Sequence, residues 1–564
     1  MSLVLVSTLF TTFVDYEHFK LKARHNTNTP LASLSSQSSD LITLNWTYNT
    51  SDWIQASPMA ADINGDGYME ILVGPCYGPL YCFNFRGEVL WTFECSNLWS
   101  TAALADIDKD GRTEIIFCAT LLEEGFTIPY VLCLNYDGSL KWKYHTKKYI
   151  DASPTIADLD HDGVLEIIVS DRRGIVYCFS PEGSVLWSYS TTGTIFATAC
   201  VADLDNDSYL EVLVGTWEGG YVGYLYCFNA SGFVLWRFKC ATITGSASAL
   251  DIDDDGKYEI IFVSWDGYLY CLDNTGSLKW RYNMTTVASN NPAFADIDND
   301  GTMEIFIGTA FIDTGCKLYC FNANGSVRWT CGTKGPVNVG SIIDLDGDGK
   351  LEILANAAGG YLYLIDIDGR LKWQYKMGAS TDSRSFVADL NLDGRFEIVI
   401  GSEDWQVYCF SVNAPIGQAS PWPCFMGSIF HTGWPDSDGD YIDDLSELYY
   451  GTNISSPDTD GDGFLDGWEI QVGLDPLFYG DKFSDLDGDG LTNFDEARLY
   501  HTSLFLYDTD GDGLGDGWEV SHGSDPLSPP SPSSFSPLYL LFILPFFAFL
   551  LFFLYRFFFP RSRH

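Results

Sequence analysis

Aspartate, glycine and glutamate recur in a nine-residue pattern, D-x-[DN]-x-D-G-x-x-E, as in ADINGDGYMEILVG (61–74), ADLDHDGVLEIIVS (157–170) and ADIDNDGTMEIFIG (295–308). Oxygen donors at alternate positions converge on one ion if the chain curls, and glycine at the sixth position permits the curl. Hard oxygen donors without histidine or cysteine favour Ca²⁺ over Zn²⁺, and a high coordination number favours it over Mg²⁺. The alternative is a solvated Asx turn between strands, which would explain one such loop but not eight in register.

The predicted ligand side chains occupy positions 1, 3, 5 and 9 of each loop. In chain order they are Asp62, Asn64, Asp66 and Glu70; Asp106, Asp108, Asp110 and Glu114; Asp158, Asp160, Asp162 and Glu166; Asp203, Asp205, Asp207 and Glu211; Asp251, Asp253, Asp255 and Glu259; Asp296, Asp298, Asp300 and Glu304; Asp344, Asp346, Asp348 and Glu352; Asp389, Asn391, Asp393 and Glu397. Asn64 and Asn391 replace a carboxylate, and Ser208 replaces the glycine of the fourth loop. We expect these three loops to bind more weakly, because ligand charge and turn geometry set calcium affinity.

Four further acidic loops, each of twelve residues, lie nearer the C-terminus, and two of them read DTDGDGFLDGWE (458–469) and DTDGDGLGDGWE (508–519). Their position 12 matches the bidentate glutamate of an EF-hand-like site. The predicted ligands are Asp436, Asp438, Asp440, Asp444 and Glu447; Asp458, Asp460, Asp462, Asp466 and Glu469; Asp485, Asp487, Asp489, Asn493 and Glu496; Asp508, Asp510, Asp512, Asp516 and Glu519. Tyr441 stands where the first of these loops would be expected to have glycine. The segment has little apolar sequence, so we expect bound ions to contribute much of its folding free energy and to stiffen it as a stalk.

The net charge of −45 agrees with this interpretation. Predicted ligand positions hold 30 carboxylates in the eight repeat loops and 19 in the C-terminal loops, so 49 of the 76 acidic residues. About twelve Ca²⁺ ions would reduce the formal charge from −45 to −21. Such a surface repels nucleic acid, which excludes a DNA- or RNA-binding role.

The elements that position the first eight loops repeat every 44 to 52 residues, the period of a four-stranded propeller blade. A tryptophan marks the fourth strand and occurs seven times after seven third strands: Trp91, Trp142, Trp187, Trp236, Trp280, Trp329 and Trp373. The eighth third strand (405–411) has no such successor, but an additional copy with Trp46 precedes the first loop. We therefore predict an all-β, eight-bladed propeller whose N-terminal strand completes the last blade. A seven-bladed ring with one degenerate unit is the alternative.

Seven of the fifteen cysteines fall at one position of the third strand: Cys82, Cys133, Cys178, Cys227, Cys271, Cys320 and Cys409. Equivalent positions in different blades are too far apart to form disulfides, so these residues are predicted to be small buried hydrophobes. Leu364 occupies the position in the seventh repeat, which supports packing. Among the other cysteines, a bridge between Cys316 and Cys331 remains an open alternative.

The acidic repeats resemble the FG-GAP repeats of integrin α-subunit propellers and their prokaryotic relatives. The third and fourth strands, as in GYLYCLDNTGSLKW (267–280), also resemble quinoprotein-type propeller repeats. The C-terminal loops, spaced by 22, 27 and 23 residues, resemble thrombospondin type 3 and dockerin-like repeats. These resemblances imply a fold but not an activity, since propellers host adhesion, scaffolding and several chemistries.

The two ends predict export and membrane anchoring. Leu538 to Tyr555 is an uncharged apolar run long enough to cross a bilayer, and Arg556, Arg561 and Arg563 place the tail in the cytoplasm. The predicted segments are a stretch of signal-peptide length (1–14), a linker (15–40), the propeller (41–415), a linker or cap (416–434), calcium repeats (435–527), a Ser/Pro spacer (528–537), a transmembrane helix (538–555) and a cytoplasmic tail (556–564). Seven N-x-S/T sequons fit an exported glycoprotein: Asn45, Asn49, Asn206, Asn229, Asn283, Asn324 and Asn453.

No catalytic motif of the H-E-x-x-H or G-x-S-x-G type is present. The quinoprotein resemblance would imply an adjacent cysteine pair, which the chain lacks. We therefore expect a calcium-dependent surface binding or adhesion protein that engages an extracellular glycan or protein on the propeller face opposite the calcium loops. Variable loops on that face, such as 121–129 and Glu403-Asp404-Trp405, combine aromatic and polar residues. The alternative is a membrane-tethered polysaccharide lyase or glycosidase, which needs only a few carboxylates or a base.

Overall fold

The computed structural model describes residues 41–284, 290–298, 300–309, 315–416 and 422–529. The predicted signal segment, the N-terminal linker, the transmembrane helix, the cytoplasmic tail and most of the Ser/Pro spacer lie outside these residues. The chain divides into two compact units, one comprising residues 1–64 and 68–479 and the other residues 65–67 and 480–564. This division differs from the predicted boundary at 434/435, because the first two C-terminal loops belong to the same unit as the propeller.

Eight four-stranded antiparallel sheets form the propeller, and in blades 1 to 7 the strands follow one another in chain order from the first to the fourth. The first strands are buried apart from Asn338 of blade 7. The first strands of blades 1 to 8 are β2 (Met59–Ala61), β6 (Ala103–Ala105), β10 (Thr155–Ala157), β14 (Cys200–Ala202), β18 (Ser248–Leu250), β22 (Ala293–Ala295), β26 (Val337–Ile343) and β30 (Phe386–Ala388). The second strands are β3 (Glu70–Val73), β7 (Glu114–Glu123), β11 (Glu166–Ser170), β15 (Glu211–Gly215), β19 (Glu259–Val263), β23 (Glu304–Gly308), β27 (Glu352–Ala357) and β31 (Glu397–Gly401).

The third strands are β4 (Leu80–Phe83), β8 (Phe126–Leu134), β12 (Ile175–Phe179), β16 (Gly223–Phe228), β20 (Tyr268–Leu272), β24 (Lys317–Phe321), β28 (Tyr361–Ile365) and β32 (Gln406–Val412). The fourth strands of blades 1 to 7 are β5 (Val89–Phe93), β9 (Leu140–His145), β13 (Val185–Ser190), β17 (Val234–Cys240), β21 (Leu278–Asn283), β25 (Val327–Gly332) and β29 (Leu371–Lys376). The fourth strand of blade 8 is the N-terminal β1 (Ile42–Asn49), which pairs antiparallel with β32. The predicted eight blades and N-terminal closing strand are confirmed.

The fourth-strand tryptophan joins each blade to the next. In blade 3, the Trp187 indole Nε1 donates to the Ala230 carbonyl of the blade 4 turn at 2.7 Å. Gly232 of that turn lies so close that a Cβ there would be 2.5 Å from Trp187 Cδ2. The closing junction repeats this geometry, since Trp46 Nε1 of blade 8 donates to Phe85 O of blade 1 at 2.9 Å. The ring is therefore closed by the same contact that links its interior blades.

Apolar side chains of the inner three strands fill the space between blades, so both faces of these strands are largely buried. The seven repeated cysteines are at most 1% exposed, and Leu364 is fully buried at the same position. These residues are thus packing groups, as predicted. All fifteen cysteines are free thiols, so Cys316 and Cys331 do not form the bridge that the sequence left open.

The described part of the predicted linker or cap, residues 422–434, runs along the first strands and is largely buried. Its carbonyl groups accept from a backbone N–H of five first strands: Leu104 to Ile429, Ile156 to Phe430, Val201 to Thr432, Ile342 to Trp422 and Val387 to Pro423. These bonds satisfy edge groups that no neighbouring strand pairs. We call this segment the plug.

Four short helices follow, one after each C-terminal acidic loop. They are α1 (Asp444–Tyr450), α2 (Asp466–Val472), α3 (Asn493–Asp495, continued by a π turn over Glu496–Tyr500) and α4 (Asp516–His522), and a 3₁₀ turn spans Asp481–Phe483. Among the described residues, no helix is both long and apolar enough to cross a membrane.

Candidate metal centres

Each blade loop lies between the first and second strands, and its backbone curls around the aspartate at position 1. In blade 3, the N–H groups of Asp162 and Gly163 donate to Asp158 Oδ1 and Oδ2 at 3.2 and 2.9 Å. The same pair of bonds recurs in blades 2 to 8. Carboxylate oxygens of positions 1, 3 and 9 lie within 4.8 Å of one another in blades 2, 3 and 5, as do those of positions 1, 3 and 5 in blades 4 and 6. The structure therefore gathers the predicted ligands within reach of one cation.

The curl places a left-handed residue at position 6 of each loop, and a second one at position 4 wherever the structure describes that position. Position 6 is glycine with φ between +77° and +86° in most blades, but Ser208 adopts φ +72° in blade 4. Position 4 is also left-handed and is not reserved for glycine, since Lys109, His161 and Leu392 adopt φ between +56° and +59° there. An L-residue in this region carries a conformational cost of about 1–2 kcal/mol. The Ser208 loop is thus strained, in line with the weaker binding expected of it.

The glutamate at position 9 is the most buried predicted ligand. Its side chain is between 1% and 6% exposed in all eight blades. One carboxylate oxygen accepts from the residue after the first aspartate, for example Glu166 Oε2 from Leu159 N at 2.8 Å. Burial, followed by the charges of Asp160 and Asp158, raises the pKa of Glu166 to about 8. A carboxylate held in this way requires a positive partner to remain ionised at neutral pH.

Four of the eight blades supply that partner from their own fourth strand. Lys279 Nζ lies 2.6 Å from Glu259 and 3.3 Å from Asp253, and Lys372 Nζ lies 2.8 Å from Glu352 and 2.5 Å from Asp346. Arg328 contacts Glu304 at 3.0 Å and Asp298 at 2.6 Å, and Lys141 pairs with Glu114 and Asp108. The sequence alone did not identify these basic residues as partners of the loop carboxylates.

The C-terminal loops hold carboxylates whose burial calls for a cation. Among the described residues, neither oxygen of Asp438 (8% exposed) has a hydrogen-bond partner, and Oε2 of the fully buried Glu447 has none. The same holds for Oε2 of Glu496 (0% exposed) and both oxygens of Glu519 (1% exposed). Leaving such groups unsatisfied is costly, whereas a calcium ion takes six to eight oxygens of this kind. The donor set therefore fits Ca²⁺.

Burial together with neighbouring aspartates, first Asp438 and Asp440, raises the pKa of Glu447 to about 9. The pKa of Glu496 is also raised to about 9 by burial and by Asp487 and Asp489. Both glutamates occupy position 12, where the sequence predicted the bidentate ligand. A bound divalent ion would reverse these shifts, because it favours the ionised form.

Position 9 of these loops, a predicted ligand, also accepts hydrogen bonds from its own loop. Both oxygens of Asp466 accept from Thr459 at position 2, from its N–H at 2.8 Å and its hydroxyl at 2.6 Å. Asp444 is held in the same way by Ser437, and Asp516 by Thr509. These bonds brace the loop at the start of the helix. The third loop has Leu486 at position 2, and its Asn493 donates to Asp481 O at 2.9 Å.

The four loops form two pairs. Asp440 Oδ2 of the first loop accepts from Gly467 N of the second at 3.0 Å, and Asp489 Oδ2 of the third accepts from Gly517 N of the fourth at 2.7 Å. A Cβ at Gly467 would meet Asp440 O at 2.2 Å, so the pair requires glycine there. The sequence carried a signal of this pairing, since D-G-W-E occurs only in the second and fourth loops and the spacing is longest between the pairs.

The first pair docks on the calcium-loop side of the propeller, within the same compact unit. Trp468 Nε1 donates to Asp62 Oδ2 of the blade 1 loop at 2.8 Å. Tyr449 of α1 donates to Gly163 O of the blade 3 loop at 2.9 Å, and Tyr441 contacts blade 8 by accepting from Asp389 N at 3.4 Å. Tyr441 tolerates φ +80° at a glycine position because its ring packs against the propeller core. The first two loops are therefore attached to the propeller instead of belonging to a free stalk.

Comparison with known proteins agrees with both modules. The family model described as the lambda-carrageenase beta-propeller domain matches residues 39–126 and 129–218, and the FG-GAP-like repeat model matches residues 251–307. The bacterial TSP3 repeat model matches residues 458–477, 485–502 and 508–529. No curated protein sequence matches the chain.

Several solved structures are similar to this chain at low sequence identity, and the first of them supports the propeller fold. The Vibrio cholerae biofilm matrix protein Bap1 is 15% identical, with a TM-score of 0.51 over 67% of this chain and 92% of Bap1. BamB from Moraxella catarrhalis is 15% identical, with a TM-score of 0.46 over 66% of this chain and 98% of BamB. Sqt1 from Saccharomyces cerevisiae is 13% identical, with a TM-score of 0.49 over 66% and 99% of the two chains. The chain thus combines an eight-bladed propeller bearing FG-GAP-like repeats with bacterial-type TSP3 repeats.

Proposed function

We propose that this protein is a calcium-stabilised binding protein of the cell surface, whose propeller engages an extracellular polysaccharide on the face opposite its calcium loops. The observation that carries the proposal is the difference between the two faces. One is partly covered by the first pair of C-terminal loops, and the other exposes aromatic side chains on the loops that follow the second and fourth strands. A propeller that carries TSP3-type repeats fits an extracellular protein.

The covered face is occupied by structural contacts. Trp468 is only 6% exposed because its indole lies against the blade 1 loop. Gln471 of α2 accepts from Asp62 N at 3.3 Å, and its backbone carbonyl accepts from the Thr113 hydroxyl at 2.9 Å. Blades 1, 2, 3 and 8 therefore all contribute loops to this docking. A ligand would have to displace it to reach the calcium loops of these blades.

The opposite face presents aromatic rings where blades 8 and 1 meet. Trp405 and Trp53 are 46% and 44% exposed, and Tyr77 is 55% exposed. Backbone bonds hold their loops together, since Thr50 N donates to Trp405 O at 2.8 Å and Cys76 N donates to Trp53 O at 2.7 Å. Polar groups lie beside them, and Gln55 Nε2 donates to Glu403 Oε1 at 3.0 Å. Exposed rings next to amide and carboxylate groups are suited to stacking on sugars and bonding their hydroxyls.

Further exposed aromatic residues continue the face across blades 2 to 4: Phe126 (72%), Tyr149 (40%) and Tyr221 (76%). Tyr149 and Tyr221 lie in loops after a fourth and a second strand, and Phe126 begins β8, directly beyond the turn that follows the second strand β7. Single exposed aromatics are ordinary on a protein surface, but a series on one face of a rigid scaffold favours an extended ligand. A polysaccharide chain is such a ligand.

Binding to a glycan array by the calcium-loaded ectodomain tests the proposal. We expect Trp405→Ala and Trp53→Ala to weaken binding to the recognised polymer at least tenfold. Trp518→Ala is the matched control, because Trp518 is also 46% exposed but lies in the fourth C-terminal loop. If all three variants bind as the unaltered protein does, or if no polysaccharide binds, the ligand face is wrongly assigned.

A polysaccharide lyase or glycosidase is the second candidate, favoured by the match of residues 39–126 and 129–218 to a lambda-carrageenase propeller domain. The assay is release of reducing ends or unsaturated products from lambda-carrageenan and related sulfated or acidic polymers. Turnover that resists further purification and is lost in variants of the Glu403–Trp405 loop would establish the enzyme. Binding without turnover would leave the first proposal standing.

The surface location rests on the apolar run Leu538–Tyr555 and the basic residues after it, which lie outside the described residues. We propose that this run anchors the protein with its N-terminal domains outside and nine residues in the cytoplasm. Carbonate extraction of membranes should retain the full chain and release a chain truncated after residue 537. External protease should then remove the propeller from intact cells.

A further inference from the structure

The eight blade loops do not all have the same partner for their buried carboxylates. The fourth-strand residue just before the tryptophan is basic in blades 2, 5, 6 and 7, where it is Lys141, Lys279, Arg328 and Lys372. The same position holds Leu90, Leu186, Leu235 and Asn45 in blades 1, 3, 4 and 8. The two sets therefore differ at one strand position that reaches the loop.

We infer that in blades 2, 5, 6 and 7 a lysine or arginine of the protein replaces calcium, so these four loops are held closed without a metal ion. This inference rests on the proposed calcium binding and specifies which of the loops take part in it. About eight calcium sites then remain of the twelve predicted: four in the blades and four in the C-terminal loops.

The geometry places the basic group where the ion would bind. Positions 3 and 9 are both predicted calcium ligands, and the basic side chain lies between them. In blade 7, Lys372 Nζ is 2.5 Å from Asp346 and 2.8 Å from Glu352. In blade 6, the two terminal nitrogens of Arg328 divide between the carboxylates, 2.6 Å from Asp298 and 3.0 Å from Glu304. Calcium would bond to these oxygens at 2.3–2.6 Å, so it and the basic group compete for one position.

Exposure shows that the basic side chains fold over the loops instead of extending into solvent. Lys141 is 21% exposed and Lys372 is 28% exposed, whereas Leu186 and Leu235 at the same position are 55% and 50% exposed. Long basic side chains ordinarily keep their charge in water. Here the charge is directed inward because the position 9 glutamate is buried and requires a cation.

A divalent ion that enters such a loop would be repelled by the positive charge of the lysine or arginine. To bind, it would have to displace that side chain. The repulsion is large at these separations because the glutamate lies in a region largely removed from water. In blades 3 and 4 this strand position is leucine and therefore places no charge against the ion. The arrangement makes half of the ring independent of calcium concentration.

Equilibrium dialysis against radioactive calcium counts the ions bound by the full ectodomain and its variants. Lys279→Leu and Lys372→Leu copy the residue of blades 3 and 4 and should each add one bound ion. The reverse changes, Leu186→Lys and Leu235→Lys, should each remove one. These positions are on the outer strand and partly exposed, so the variants are expected to fold.

Lys143→Leu is the matched control, because Lys143 lies two residues beyond Lys141 in β9 but pairs with Glu123 and not with the loop. Its calcium count should equal that of the unaltered protein. The C-terminal loops are unchanged in every variant, so differences in the count report the blades alone.

An equal count in all variants, with calcium bound, would overturn the inference while leaving the proposed calcium binding intact. Binding of no calcium by any variant would instead overturn the proposed calcium binding, and this inference with it. If Lys279→Leu and Lys372→Leu fail to fold, the count for Leu186→Lys still decides, because loss of one ion supports the inference and an unchanged count refutes it.

Discussion

Substitution of Gly87 by alanine tests whether the ring closes as the structure shows. Gly87 has φ +80°, and a Cβ there would lie 2.6 Å from Trp46 Cδ2 and 2.8 Å from Cε3. The left-handed conformation costs alanine about 1–2 kcal/mol. Displacing the indole would also weaken its bond to Phe85 O, which is worth about 1 kcal/mol. Together the substitution should lower the free energy of unfolding by about 2–3 kcal/mol.

The assay is thermal unfolding in saturating calcium. An unfolding entropy of about 2.1 cal/mol/K per residue over the roughly 370 residues of the ring gives about 0.8 kcal/mol/K, so Gly87→Ala should lower Tm by about 3–4 °C. Gly232→Ala probes the interior junction, where the Cβ would be 2.5 Å from Trp187, and should have the same effect.

Gly125→Ala isolates the backbone cost, because Gly125 has φ +85° with nothing within 4 Å of its Cβ. It should lower Tm by only about 2 °C. If Gly87→Ala matches Gly125→Ala while Gly232→Ala is more destabilising, blades 8 and 1 do not meet as an interior pair. The reasoning on closure would then be refuted.

Calcium removal should lower Tm, because each site filled at 100 times its Kd contributes about 2.7 kcal/mol; an unchanged melt in chelator would contradict calcium binding. Ser208→Gly should raise Tm by about 1–2 °C, because glycine adopts the left-handed φ of +72° without strain. A lower Tm would show that the serine side chain stabilises the loop. Iodoacetamide at pH 8 should leave Cys82 and Cys409 unlabelled in the native protein and label them after unfolding. Burial raises their thiol pKa well above 9.0 and so suppresses the reactive thiolate. Labelling of the native protein would disprove their burial. Tyr441→Gly should destabilise the first C-terminal loop although φ +80° suits glycine, since the ring contact with the propeller is lost; stabilisation would show that this contact is weak.

Much of the propeller could be predicted because its signals are local and repeated. The acidic loop and the fourth-strand tryptophan each occur eight times at a regular spacing, so each pattern can be recognised in the sequence. The additional tryptophan at Trp46 was enough to place the closing strand, since a ring with free edges is unfavourable. The burial of the repeated cysteines followed from their equivalence between blades.

Other features of the site depend on contacts that no local pattern specifies. The role of Lys141 or Lys372 requires a side chain to reach across the third strand to the beginning of the second. The sequence places the lysine in the fourth strand but does not indicate which way it points. Position 9 of the C-terminal loops is predicted as a ligand from its residue type, and its hydrogen bonds with position 2 are known only from the structure.

The sequence by itself determined the acidic loops and their predicted ligands. Residue type and spacing over nine or twelve positions bring their oxygens together, because the curl is made by the loop's own backbone. Only the tertiary structure decided how the loops are used: which are neutralised by a basic side chain, which pair, and which dock on the propeller. Those contacts join residues as distant as Asp62 and Trp468, separated by 406 positions, and chain folding alone brings them together.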